Sequence, residues 1–153
     1  MTASIALHIL AAAAWVGGSL ALVLVAVPVL RQLPDEARAK SVRALGRRWK
    51  PIGWTSLAVL AGTGCGLAFG YYNAADPDVL FGTRLGHFLV AKAVLFVALV
   101  TTASLHDFVL GPRLNRQLRE GRLQTLRRPM VVVGCLSLVF TLALPVLGVL
   151  MTR

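Results

Sequence analysis

Long uncharged stretches alternate with short charged ones along the chain. Residues 3–30, 51–70 and 129–150 contain no Asp, Glu, Lys or Arg, and residues 85–110 hold only four ionisable side chains. A helix needs about 20 mostly apolar residues to cross roughly 30 Å of hydrocarbon. The pattern therefore predicts an all-α integral membrane protein with four transmembrane helices over these ranges. We expect one antiparallel up-down bundle that forms a single membrane domain over residues 1–153.

Composition supports this class and excludes two others. Hydrophobic residues make up 57% of the chain and charged residues 14%, whereas soluble domains carry about 25% charged residues. Too few charges remain to coat a soluble globule, and disorder requires low hydrophobicity. The first apolar run lacks a basic leader and exceeds the usual length of a signal-peptide core, so we expect it to be a retained span.

The basic residues predict how the helices are oriented. Residues 31–50 and 111–128 hold 13 of the 16 basic residues, whereas residues 71–83 contain Asp76 and Asp78 and no basic residue. The positive-inside rule then places both basic segments in the cytoplasm and both termini outside. Basic segments beside a membrane attract anionic lipid, so membrane lipid accounts for the net charge of +10. No nucleic-acid partner is expected.

One of the basic segments has a helical pattern of its own. Residues 34–46 predict a short amphipathic helix, with Pro34 and Asp35 near its start. We expect that helix to lie on the inner membrane surface, separate from the second span.

Ionisable side chains within a membrane are costly, so they are candidates for function. At about 1.5 Å per residue, His8 and His87 lie at the same level, roughly 13–15 Å outward from the middle of the first and third helices. Lys92 lies deeper on the third helix, and Arg84 lies at its outer end. Trp15 shares a helix face with His8, either as packing or as a flat ring beside a flat ligand. These residues form the predicted outer site.

Two facing imidazoles in a helix bundle allow a small range of chemistry. They can bind a copper, iron or zinc ion, ligate haem iron axially, or relay protons. The structural alternative is that each histidine is an interfacial side chain hydrogen-bonded to the backbone. Lys92 could extend to the interface or serve a buried anion, either a carboxylate or a haem propionate. His106 and Asp107, near the inner end of the third span, are predicted to be mainly structural.

Four stretches of sequence read together indicate a family. They are LHILAAAAWVGGSL at 7–20, RRWKPIGW at 47–54, LFGTRLGHFLVAK at 80–92 and LHDFVLGPRL at 105–114. In these stretches the chain resembles the CopD family, the four-helix membrane module of bacterial copper-resistance proteins. The resemblance implies a bacterial inner-membrane protein of copper homeostasis with a periplasmic copper-binding partner. His8 and His87 match the family's outer histidines, and His106 and Asp107 match its inner His-Asp-Phe motif.

A more distant similarity is to HemJ, a four-helix membrane protein of haem biosynthesis that oxidises protoporphyrinogen. His8, Trp15, Lys92 and His106 match a histidine and tryptophan of its first helix and a lysine and histidine of its third. This similarity implies haem b as an alternative cofactor.

Two functions of this site therefore stay open, beside a third interpretation in which the protein is an assembly or scaffold subunit with structural histidines. The first is copper binding or transfer through His8 and His87. The second is a haem-b redox protein with these two histidines as axial ligands and with Arg84 and Lys92 facing the propionates. Enzymatic activity stays open as well, and an enzyme would be a haem-dependent membrane oxidoreductase. Four short helices enclose only a small pore, so a homo-oligomer is a further expectation for transport.

Overall fold

The computed structural model describes residues 2–113, 116 and 127–151, and its regular structure in these ranges is helical throughout, without strands. The helices are α1 Thr2–Arg31, α2 Asp35–Gly70, α3 Pro77–Gly82, α4 Arg84–Arg113 and α5 Arg127–Leu150. Four of them, α1, α2, α4 and α5, are long and apolar enough to cross a membrane. The prediction of an all-α protein with four spanning helices is thus confirmed. The up-down order and the outward termini stay predictions, and most of the predicted basic loop 111–128 lies outside the described residues.

The helices form two compact units, Met1–Ala74 and Ala75–Arg153. In the first unit α1 packs along α2, and in the second α4 packs along α5. Each unit is a helical hairpin, the simplest arrangement in which two apolar helices cover each other. The single four-helix domain stays a prediction.

Two of the long helices contain a wider, π-helical turn. In α1 this turn covers Leu22–Ala26, and in α4 it covers Leu105–Leu110. A π-turn holds one extra residue within an otherwise α-helical segment. In α1 the turn is followed by Pro28, which lacks an N–H and whose ring crowds the carbonyl of Leu24, four residues earlier. The wide turn therefore lies where proline disturbs the hydrogen-bond ladder.

Helix α2 is longer than the sequence predicts. It begins at Asp35, directly after Pro34, and Asp35 pairs with Arg38 in its first turn. The predicted start of the amphipathic helix is confirmed, but its predicted end is wrong, because α2 continues through Pro51 to Gly70 as 36 residues. At about 1.5 Å per residue it is roughly 54 Å long, well beyond the hydrocarbon thickness. The basic segment therefore continues the spanning helix and is not a separate helix on the surface.

A tight connection fixes the beginning of α4. The side chain of Asp76 accepts a hydrogen bond from the backbone N–H of Asp78 at 2.9 Å, and Thr83 accepts one from Gly86 at 3.0 Å. A Cβ atom at Gly86 would overlap the backbone carbonyl of Leu80. Only glycine allows this approach, which sets the direction in which the first turns of α4 leave α3.

Candidate functional site

The first unit holds His8 against α2 through a directed hydrogen bond. The Nδ1 atom of His8 lies 2.7 Å from the Oγ1 atom of Thr63. The hydroxyl of Thr63 lies 2.6 Å from the backbone oxygen of Val59, to which it donates its proton. Thr63 must therefore accept from His8, so the Nδ1 atom carries the proton of the neutral ring. This assignment leaves the lone pair on Nε2, the nitrogen suited to a metal ion.

Glycine in α2 makes room for the imidazole ring. A Cβ atom at Gly64 would lie 3.5 Å from Cε1 of His8, so the ring rests on the helix backbone at ordinary contact distance. Thr63 and Gly64 together fix the plane and the tautomer of His8.

Sequence reasoning did not select Thr63, although a signal for it exists. His8 lies six residues after Thr2, and Thr63 lies seven residues before Gly70. The two helices are antiparallel neighbours in the first unit, so distances from those ends that differ by one residue place the two residues at nearly one level. A hydroxyl at that level in an apolar span is a candidate partner for the imidazole.

Trp15 packs against another indole ring. The ring centroids of Trp15 and Trp49 are 6.0 Å apart and tilted by 32°, and Trp15 is only 9% exposed. Each indole also covers a glycine of the other helix: Trp15 lies against Gly53, and Trp49 lies against Gly18, where a Cβ atom would overlap its ring. The contacts of Trp15 therefore include reciprocal packing between α1 and α2.

The second unit places the predicted cationic residues along one groove. Arg84, His87, Phe88 and Ala91, which are spaced as one helical face, line a groove of about 320 Å³ with Leu147 of α5. The guanidinium carbon of Arg84 lies 5.6 Å from the centre of the Phe88 ring, over its face. His87 is exposed on this groove. Arg84 and His87 are thus brought together at the start of α4.

Lys92 reaches across to α5 just beyond this groove. Its Nζ atom would lie 3.7 Å from a Cβ atom at Gly148, the residue after the groove residue Leu147. The absence of a side chain at Gly148 gives the ammonium group space beside the α5 backbone. Arg84 therefore lines the groove and Lys92 lies just beyond it, eight residues further along α4.

His106 and Asp107 lie within the π-helical turn of α4. Nδ1 of His106 is 3.1 Å from Oδ1 of Asp107, and the two side chains are 35% and 22% exposed. The ring edge of His106 lies against Gly134 of α5, 3.9 Å from where a Cβ atom would be. The pair thus links consecutive residues of α4 and covers a glycine of α5. Its structural role stays a prediction.

Cysteines and acidic residues do not gather around these histidines in the described ranges. Cys65 and Cys135 are both exposed free thiols. Within residues 2–113, 116 and 127–151, no three His, Cys, Asp or Glu side chains lie close enough to hold a metal ion together. His8 belongs to the first unit and His87 to the second, so their common site stays a prediction.

Four helices long and apolar enough to cross a membrane define a multi-pass integral membrane protein. The family model for "CopD: Copper resistance protein D" matches residues 43–151. The chain belongs to the CopD family, and the resemblance inferred from its sequence is confirmed.

A curated relative gives a second match. The chain is 35% identical over 121 residues to the copper transport protein CutJ of Bacillus subtilis (strain 168). The match covers 79% of this chain and 20% of CutJ, so the chain spans about a fifth of the relative it matches. No solved structure matches. Both matches carry copper in their names, and neither supports the haem alternative.

Proposed function

We propose that this chain binds copper within the membrane and passes it on, with Nε2 of His8 as a ligand. The observation that carries the proposal is the hydrogen bond from Nδ1 of His8 to the hydroxyl of Thr63. Histidines that ligate metals almost always donate their other ring N–H to a fixed acceptor, which sets the tautomer and ring orientation. Thr63 is an acceptor of this kind.

Family membership selects copper among the metals that imidazole can bind. Imidazole suits copper, zinc and iron, so the donor alone does not distinguish them. The CopD family is a copper-resistance family and CutJ is a copper transport protein. Copper is the cargo in this proposal, and His87 is the second ligand that the sequence predicts for it.

The proposal includes a direction and a partner. In this proposal the basic segments face the cytoplasm, in line with the positive-inside rule, and His8 lies in the outer half of a bacterial inner membrane. Copper would then arrive from a periplasmic copper-binding protein and leave toward the cytoplasm or toward a second membrane component.

Copper titration of the full chain tests the proposal. We expect the detergent-purified protein to bind Cu(I) in competition with a chromogenic chelator, and His8→Ala to lose most of this binding while its helical circular dichroism is unchanged. His106→Ala is the matched control, since it removes an imidazole near the other end of a long helix. Equal copper binding by wild type and His8→Ala would refute the assignment. A Soret band in the purified protein would instead favour haem.

A further inference from the structure

The groove at the start of α4 is electropositive in a place where a membrane protein meets lipid headgroups. Arg84 is the first residue of a helix long and apolar enough to span the membrane. Arg84, His87 and Phe88 thus occupy the first two turns, at the level where hydrocarbon gives way to headgroups. Residues at this level contact both phosphate groups and the beginnings of acyl chains.

The cationic charge of the groove is not balanced by a carboxylate of the residues that the structure describes. Within the described residues, no carboxylate is paired with Arg84 or Lys92. Arg84 instead lies over the ring of Phe88, and this contact holds its guanidinium beside the groove. An unpaired ammonium beside a spanning helix is costly unless an anion accompanies it. The groove therefore has the charge to attract an anion.

The shape and lining of the groove indicate which anion. Its volume of about 320 Å³ is near the lower end for ligand pockets, enough for a headgroup and the first part of a chain. Arg84 lines the groove with the apolar side chains of Phe88, Ala91 and Leu147, and Lys92 lies near Gly148, just beyond them. A phosphate diester attached to hydrocarbon matches both parts, and guanidinium groups bind phosphate through two parallel hydrogen bonds.

We propose that this groove binds an anionic phospholipid, with its phosphate at Arg84, its chain along Phe88 and Leu147, and Lys92 just beyond the groove as a second cation. The site is distinct from the general attraction of lipid to the basic segments, because it is built from α4 and α5. It does not depend on the proposed copper function. If copper does reach His87, the bound phosphate offsets the repulsion that the two neighbouring cations exert on a metal cation.

Photocrosslinking locates the lipid. The full chain is reconstituted in vesicles of phosphatidylcholine that contain a trace of photoactivatable phosphatidylglycerol or, separately, photoactivatable phosphatidylcholine. Peptide mapping then gives the labelling of residues 84–92. We expect the phosphatidylglycerol probe to label this segment at least about fivefold more strongly, the factor that one basic residue contributes to anionic lipid binding.

Variants separate this site from nonspecific attraction. Arg84→Gln and Lys92→Met should each lower the phosphatidylglycerol labelling about fivefold, and Lys92→Arg should keep it. Arg38→Gln, which removes a cation from the first unit, should leave labelling of residues 84–92 unchanged. Equal labelling by the two probes, or unchanged labelling in Arg84→Gln, would overturn the proposal. So would loss of labelling on addition of inorganic phosphate at constant ionic strength, since the occupant would then be a small anion.

Discussion

Nδ1 of His8 lies 2.7 Å from Oγ1 of Thr63, and the threonine hydroxyl has its own proton committed to the backbone of α2. Two residues 55 positions apart thus determine which nitrogen of the imidazole carries the lone pair. The candidate copper ligand is therefore oriented by a neighbouring helix as well as by its own.

Replacement of Thr63 by valine tests this orientation. Thr63→Val keeps the shape of the side chain and removes the acceptor, so we expect copper affinity to fall by about 10- to 100-fold, the usual cost of losing a partner of a ligating histidine. Thr101→Val is the control, because Thr101 also donates to a carbonyl one turn earlier but is exposed. Competition titration with a Cu(I) chelator measures both. Equal affinity in Thr63→Val and wild type would separate Thr63 from the site.

A double-mutant cycle tests whether His8 and His87 share one copper ion. If they do, each single alanine variant loses most of the copper and the double variant loses little more, because ligands that act together are not additive. Bound copper per chain, measured by mass spectrometry of the metal, gives all four values. Additive losses would assign the histidines to separate sites, and unchanged binding in His87→Ala would leave His8 with other ligands.

The indole packing between α1 and α2 predicts a sharp difference between adjacent glycines. A Cβ atom at Gly18 would overlap the ring of Trp49, whereas nothing lies within 4 Å of one at Gly17. We expect Gly18→Ala to destabilise the protein by about 1–3 kcal/mol, as overpacking usually does. Gly17→Ala should be neutral or slightly stabilising, because alanine favours helix. Thermal unfolding in detergent compares them, and equal melting temperatures would contradict this packing.

His106 and Asp107 are expected to contribute stability and not copper binding. His106→Ala should lower the free energy of unfolding by about 1 kcal/mol, the scale of one partly exposed polar contact, and should keep wild-type copper. Asp107→Asn, which retains the size of the side chain, tests the charge alone. Thermal unfolding and copper titration on the same samples provide the measurements. A folded His106→Ala protein without copper would move the site to this end of α4.

Cysteine labelling tests the orientation in the membrane. In a background with Cys65→Ala and Cys135→Ala, we expect an impermeant maleimide added outside intact cells to label Asp78→Cys but not Lys40→Cys. The reason is that the basic segment around Lys40 stays in the cytoplasm. Labelling of both positions after membrane permeabilisation is the control for reactivity. The opposite pattern would invert the orientation and the predicted side of every site.

The sequence was sufficient for the existence of four helices that can span a membrane, because a run of some 20 mostly apolar residues has few alternatives to a span. Four characteristic stretches were sufficient for the family. It failed at the end of the amphipathic helix near residue 46. Gly46 and Pro51 suggest a break in the helix. The structure instead has a continuous α2 through both residues, and Trp49 of this stretch packs on Gly18 and Trp15 of α1. Such a tertiary contact is invisible in local sequence.

For the candidate site, residue type and depth selected His8, but nothing in composition identifies its partner. Thr63 resembles Thr101 and Thr102 in α4, which also donate to a carbonyl one turn earlier. Only the pairing of α1 with α2 distinguishes it. The groove of Arg84 likewise depends on Leu147 of α5, which no helical pattern within α4 could supply.

The π-helical turn at Leu22–Ala26 has a consequence for how this chain tolerates changes in length. A π-turn contains one extra residue, so deletion of a single residue there can be absorbed by reversion to a regular α-helix, with the N-terminal half of α1 left in register. The segment between His8 and Trp15 is regular α-helix without an extra residue. Deletion of one residue there would turn the imidazole about 100° relative to the indole. Insertions and deletions among homologous chains should accordingly collect at the wide turn and avoid the stretch from His8 to Trp15.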